Sequence, residues 1–288
     1  MRTEHPLSRL IGEVDLPGVY WNKKHGLFKQ ASPVDDLIDE SAIQGILDTG
    51  LLRWPYFTLL KDGRQPELAA FTTTRIVDGQ KVKGFADAQK VRKHLEAGAT
   101  MKLSQLEDWH LPIRNLMREI EARLPAELKS YVFYTPRDST GMLPHRDGSH
   151  VLAVQIAGAK EWRIYDSPDQ IDARPGLDVD VDSHTHSFVM EPGDVLYLPH
   201  GLPHVATARG GTSLHLTYTI TEPTPLALVE SLMATLMDDA GQFPVHEHQL
   251  KLEDKAEVVA KALAGHLGSV DTQVLVDAAV GQMRKRTI

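Results

Sequence analysis

His145 and Asp147, one residue apart, together with His204 beyond a Gly-Pro bend, constrain this chain more than any other feature. In extended backbone the side chains alternate between faces, so His145 and Asp147 project to the same side, about two positions apart. A ligand from another strand then closes a facial triangle, and Gly201-Leu202-Pro203 is the bend that delivers His204 to it. A two-histidine, one-carboxylate set leaves metal positions open. That suits non-heme Fe(II), which must hold an oxidisable co-substrate and oxygen together, whereas structural zinc sites saturate the metal with protein ligands. An H-x-D pair alone, in a chain with 14 histidines, would carry little weight.

Its surroundings supply the weight. Val151-Leu152-Ala153-Val154-Gln155-Ile156-Ala157 is a strand-like run closed by Gly158, and Glu161-Trp162-Arg163-Ile164-Tyr165 alternates as a second strand, so the pair is expected to form a hairpin. Glu191-Pro192-Gly193-Asp194 is a tight turn opening onto Val195-Leu196-Tyr197-Leu198-Pro199.

These residues carry a resemblance to the JmjC-type cupin oxygenases, in particular the branch of ribosomal-protein hydroxylases. The matching segments are Tyr131-Val132-Phe133-Tyr134-Thr135-Pro136, Ser139-Thr140-Gly141, His145-x-Asp147, Val154 to Tyr165, Glu191 to Pro199, His204 and Ser213-Leu214-His215-Leu216-Thr217. The resemblance spans about residues 15 to 222 and is strongest from 131 to 220. It implies a mainly β core with flanking helices, a double-stranded β-helix of the cupin/JmjC jelly-roll type. It also implies that His145, Asp147 and His204 bind Fe(II), and that 2-oxoglutarate and O2 are consumed in hydroxylating a C–H bond.

The co-substrate's distal carboxylate needs a fixed cation in a semi-enclosed pocket. Lys160 stands where the family places its Lys or Arg; read without the resemblance it is an exposed hairpin lysine. Tyr131 is the candidate phenol for the same carboxylate, although ribosomal-oxygenase relatives often carry Asn there. Thr217 is a third candidate co-substrate contact; like His215, it is read as a residue that lines the pocket or fills the barrel, with filling the simpler role. A second departure is His145-Arg146-Asp147-Gly148-Ser149-His150, where relatives commonly have H-Y-D-x-x-D. Alternation points Arg146 off the metal face, so it is expected at the surface or mouth.

Other histidines have no matched third ligand. His184-x-His186 and His246-Glu247-His248 read as surface histidines, and His200 as a loop residue. Glu161 and Glu191 are nearby acids, but a cupin site of the germin type would use more histidines plus a Glu.

The 288 residues allow one large or two modest domains, and 42% hydrophobic content suits a globular chain. No run reaches transmembrane length and no signal-peptide pattern follows Met1, so a cytoplasmic protein without membrane contact is expected. Zero cysteines exclude disulfides and thiolate ligands. A net charge of −8 argues against direct nucleic-acid binding.

Residues 1–224 read as the oxygenase domain, with N-terminal elaborations and a barrel core at about 111–222. Within it, Val34 to Leu51, Ala86 to Glu96 and Pro112 to Arg123 read as helices, and Tyr56 to Leu60 as a strand. Residues 225–288 read as a helical segment with helices at Leu226 to Met237, Glu253 to Leu267 and Thr272 to Met283. The resemblance implies that it is a dimerisation region, and because about 60 residues fit a helical segment more easily than that segment plus a winged helix, a full winged helix is not expected. Leu226, Val229, Leu232, Met233 and Leu236 form its apolar stripe, which would serve a homodimer or packing within one subunit. A protein or peptide is the expected substrate; a small metabolite shares every core requirement, and a non-catalytic metal-binding cupin would need no Lys160.

Overall fold

The computed structural model describes residues 7–34, 37–165, 183–238 and 249–285. His246-Glu247-His248 lie outside them. The chain divides into two compact units, one of Met1–Arg123 with Leu128–Thr221 and one of Leu124–Glu127 with Glu222–Ile288.

The first unit opens with a short helix α1 (Ser8–Ile11), strand β1 (Gly26–Phe28) and helix α2 (Glu40–Thr49). Asp39 starts α2 by accepting the Ala42 N–H at 2.7 Å, and Gly50 ends it in the left-handed region. The predicted helix from Val34 is therefore shorter at its described N-terminal end: its cap lies at Asp39. Strand β2 (Phe57–Leu60) is followed by the hairpin β3 (Thr72–Val77) and β4 (Gln80–Ala86), turned by Asp78-Gly79, both with positive φ. Helix α3 (Ala88–Glu96) begins after Asp87, whose carboxylate accepts from Lys90 N–H. Strand β5 (Thr100–Ser104) leads to α4 (Leu111–Glu121), which buries Ile113, Leu116, Met117 and Ile120, the face its spacing predicts.

The barrel is made by β6 (Glu127–Thr135), β7 (His150–Tyr165), β8 (His184–Met190), β9 (Val195–Leu198) and β10 (His204–Thr221). Its main antiparallel sheet runs β1-β9-β7-β10-β6-β5-β2, with β8 also on β7. The expected hairpin at Gly158 does not form. Instead β7 is one 16-residue strand, paired along its length with the 18-residue β10, from His150↔Ile220 to Ile164↔His204. Its first half pairs with β9 and its second half with β8. Gly158 sits at positive φ where the β7–β10 register shifts, and a side chain there would collide with the Thr212 carbonyl. A glycine read as a reversal is thus a bulge, which bends a strand without turning it back. Val151, Ala153, Trp162, Ile164, Met190, Leu196 and Leu198 pack together as one core of this barrel.

The second unit holds α5 (Pro225–Asp238), α6 (Leu252–Ser269) and α7 (Thr272–Lys285). Thr235 on α5 and His266 on α6 share a 2.9 Å hydrogen bond, and Arg284 on α7 donates to the carbonyls of Leu124 and Ala126. The predicted α5 stripe splits. Leu226, Val229 and Met233 are exposed, together with Met237, whereas Leu236 is buried and Leu232 is partly covered. Positions ten residues apart have rotated around the helix, so one end of the stripe faces inward.

Candidate metal centre and its pocket

His145 and His204 meet as an isolated antiparallel bridge, each backbone N–H donating to the other's carbonyl at 3.0 Å. This pairing joins the loop after β6 to the start of β10. Gly201 N–H also donates to the Asp147 carbonyl, so the bend and the H-x-D segment are tied twice. The donor atoms of His145, Asp147 and His204 lie within 4.8 Å of one another, the one such group among the described residues. His145 Nε2 is 3.8 Å from Asp147 Oδ1, and His204 Nε2 is 3.5 Å from Asp147 Oδ2.

The other ring nitrogens fix the tautomers. His145 Nδ1 contacts the Leu143 carbonyl at 2.8 Å and His204 Nδ1 the Leu202 carbonyl at 2.9 Å. A carbonyl only accepts, so each Nδ1 carries the hydrogen and each Nε2 keeps its lone pair toward Asp147. Burial, with His145 beside it, pushes His204 down to about 4, which keeps it neutral near pH 7. Two imidazoles and a carboxylate with room for further ligands fit a 2-His-1-carboxylate iron set.

The triad opens into a cavity of about 330 Å³ that Lys160, Tyr131 and Thr217 also line. That volume is in the range of small-molecule sites. Lys160 is not an exposed hairpin lysine. It is 4% exposed on the inward face of β7, and burial pushes its ammonium down to about 7. Its Nζ lies 3.2 Å from His215 Nδ1, which must accept. Burial, then the charges of Lys160 and His204, hold His215 well below the usual histidine range, so it is the neutral acceptor that this contact needs. The His215 ring stacks on Phe133 at 4.8 Å and meets Trp162 edge-on at 5.7 Å. His215 and Thr217 are therefore buried and also wall the cavity. A buried amine with a neutral acceptor on one side is suited to an anion on the other, and 2-oxoglutarate's distal carboxylate has that chemistry.

Arg146 differs from its expectation: it is 3% exposed, turned off the metal side into the protein rather than to water. His184 and His186 are exposed, the latter ring 4.6 Å from that of His25, and His200 is partly covered; none joins the triad. Lys102 and Phe133 are pocket residues that sequence reading missed. Lys102 lies on β5 in register with Phe133 of β6, far upstream of the H-x-D segment, and only strand pairing places it there.

Fold and site together define a cupin-type double-stranded β-helix with a two-histidine, one-carboxylate group on its cavity. Residues 102–228 match the JmjC domain family model. Among curated proteins, it is 30% identical over 139 residues to ribosomal oxygenase 2 of Mus musculus, covering 46% of this chain and 30% of that protein. It is 28% identical over 165 residues to a bifunctional lysine-specific demethylase and histidyl-hydroxylase of Drosophila grimshawi, covering 54% and 23%. The chain thus spans less than a third of the length of these two relatives. Among solved structures, the ribosomal oxygenase YcfD of Escherichia coli in complex with cobalt and 2-oxoglutarate superposes with a TM-score of 0.56. The identity is 17%, over 88% of this chain and 66% of that one. Another crystal structure of YcfD gives 0.59 at 18% identity, covering 89% and 68%. At these identities the structures speak for the fold. Among the described residues, no helix is long and apolar enough to cross a membrane.

Proposed function

We propose that this chain is an Fe(II)- and 2-oxoglutarate-dependent hydroxylase of a protein or peptide side chain. The observation that carries this reading is the pair of locked imidazoles, both Nε2 atoms turned to Asp147, beside a cavity whose inner wall holds a buried lysine. His145, Asp147 and His204 would hold the metal. Lys160 would bind the distal carboxylate of 2-oxoglutarate, with Tyr131 and Thr217 as further contacts. When bound, iron and co-substrate supply oxygen activation, in which R–H, O2 and 2-oxoglutarate become R–OH, succinate and carbon dioxide.

The chain's own residues supply geometry. The Leu143 and Leu202 carbonyls orient the two rings before metal arrives, which lowers the cost of assembling the site. His215 takes one Lys160 hydrogen and leaves the others to face an incoming carboxylate. Trp162, Phe133 and His215 exclude water from the inner wall, where a charge-assisted bond is strongest.

The names of the curated relatives support a macromolecular substrate over a metabolite, and the clamp lysine favours an enzyme over a silent metal-binding cupin. We further propose that residues 225–288 pair two subunits through the exposed Leu226, Val229 and Met233 on α5. A cytoplasmic setting, where iron stays reduced, fits this chemistry, and a net charge of −8 speaks against direct nucleic-acid binding. The test is succinate release from 2-oxoglutarate by protein reconstituted with Fe(II), together with a gain of one oxygen in substrate peptides by mass spectrometry. Absence of both with intact metal binding would leave a metal-binding cupin. Light scattering tests the pairing: a monomer at micromolar concentration would remove it.

A further inference from the structure

Two lysines besides the clamp line the cavity, Lys102 and Lys129, and Lys102 is the one set over aromatic rings. Lys102 is half-buried, and its side chain shares a sheet face with Tyr131 and Phe133. Its ammonium lies over the Tyr131 ring, 4.4 Å from the centroid, and 5.6 Å from that of Phe133. Among the described residues it makes no hydrogen bond or ion pair. The charge of Asp147, the most exposed member of the triad, acts on it. Lys102 thus lines the same cavity as the triad but is less enclosed than Lys160.

Charge and ring occupancy point the same way. In the loaded site a divalent metal and the 2-oxoglutarate dianion cancel, and Asp147 offsets one of the three lysines that line the cavity. Positive charge is left in excess there, in a region where water is partly excluded and an anion is held more firmly than in bulk. Aromatic faces beside a metal centre can receive a cationic side chain, but here Lys102 already covers those of Tyr131 and Phe133. A protonated or methylated amine entering the pocket would meet a like charge where it would otherwise find a ring.

Resting on the oxygenase reading above, we propose that Lys102 is a specificity-determining residue, which holds a carboxylate of the substrate and excludes cationic side chains. The shared chemistry is the carboxylate; an acidic peptide and a small free acid both carry it.

The test is binding to the full chain loaded with Fe(II) and 2-oxoglutarate without oxygen, read by calorimetry. The probes are blocked pentapeptides centred on Asp, Asn or Lys, and N-acetyl-aspartate amide as the small acid. The Asp peptide is expected to bind at least tenfold tighter than the Asn peptide, and the Lys peptide weakest. Lys102→Met should bring Asp and Asn peptides level while 2-oxoglutarate affinity stays within twofold; Lys102→Arg should keep the preference, which guards against a folding defect. If N-acetyl-aspartate amide binds as well as the peptide, the carboxylate belongs to a small acid; if only the peptide binds, to a protein. Equal binding of Asp and Lys peptides by wild type overturns the proposal. So does a loss of 2-oxoglutarate affinity in Lys102→Met as large as in Lys160→Met, which would make Lys102 a second co-substrate clamp. Wild type that binds neither Fe(II) nor 2-oxoglutarate sinks the oxygenase reading itself, a result distinct from either.

Discussion

The two ends of the cavity differ in how their charges are kept. At the inner end Lys160, His204 and His215 are each 4% exposed, and each has a fixed partner for a ring or amine nitrogen. At the outer end the Asp147 side chain is 33% exposed, Tyr131 and Lys102 are half-buried, and Lys102 has rings but, among the described residues, no hydrogen-bond acceptor. Desolvation displaces the inner groups furthest, His204 to about 4 and Lys160 to about 7. An enclosed end with fixed partners suits a small ligand of constant shape; an open end with a spare cation suits a ligand that varies. On the proposed reading, the same barrel wall would serve two recognition tasks.

The largest expected effect comes where the two ends meet. Asp147→Ala leaves two imidazoles without the only carboxylate of the group, and iron affinity should fall by more than about 100-fold. Metal analysis after dialysis reads it; near-normal iron content would remove the triad and with it the junction between the ends.

Next in size is Lys160→Met. Affinity for 2-oxoglutarate should drop by roughly 30-fold or more, about 2 kcal/mol for a charge-assisted bond, while iron binding changes little. The same variant should be more stable by about 1 kcal/mol, a few degrees of Tm, because it no longer buries an amine. The folded amine titrates near 7 against 10.5 unfolded, so the burial penalty is full below pH 7 and fades as pH rises from 7 to 10.5. The stability gain should therefore be greatest at low pH. Thermal melts of both proteins at pH 6.5 and 9 read it, and a variant less stable at both would show that Lys160 is not a strained inner cation.

A smaller effect follows from the same amine. Binding 2-oxoglutarate needs the charged form, so wild-type affinity should weaken, up to about tenfold per unit, as pH rises above 7; Lys160→Arg should flatten the curve. A flat wild-type profile from pH 7 to 9 would break the contrast between buried and open cations. The smallest change is expected at the outer wall: Tyr131→Phe keeps the ring under Lys102 and should alter 2-oxoglutarate affinity by no more than about threefold. A larger loss would move Tyr131 to the inner, clamping end.

Local signals in the sequence were informative where chemistry and structure are close along the chain. The H-x-D spacing, the Gly-Leu-Pro bend before His204 and the apolar face of α4 depend on a few adjacent residues, and each matches its place in the molecule. Asp78-Gly79 also carried a hairpin signal of this kind, between β3 and β4, that went unread. Gly158 misled because a glycine after an apolar run is compatible with a reversal or a bulge, and the choice rests on β10 lying alongside. Arg146 misled because alternation says which side a residue takes, not what covers that side.

By itself the sequence determined the kinds of ligand, the extended runs around Gly158 and after Asp194, and the helices α5, α6 and α7, since composition and short spacing set these. Tertiary structure alone decided that Lys160 is buried against His215, that Phe133 stacks on that histidine, and that Lys102 lines the cavity over the Tyr131 ring. These are pairings between β7, β10, β6 and β5, whose partners are about 30 to 80 residues apart in the chain. No local pattern encodes them, because register between distant strands is fixed by the packing of the whole barrel.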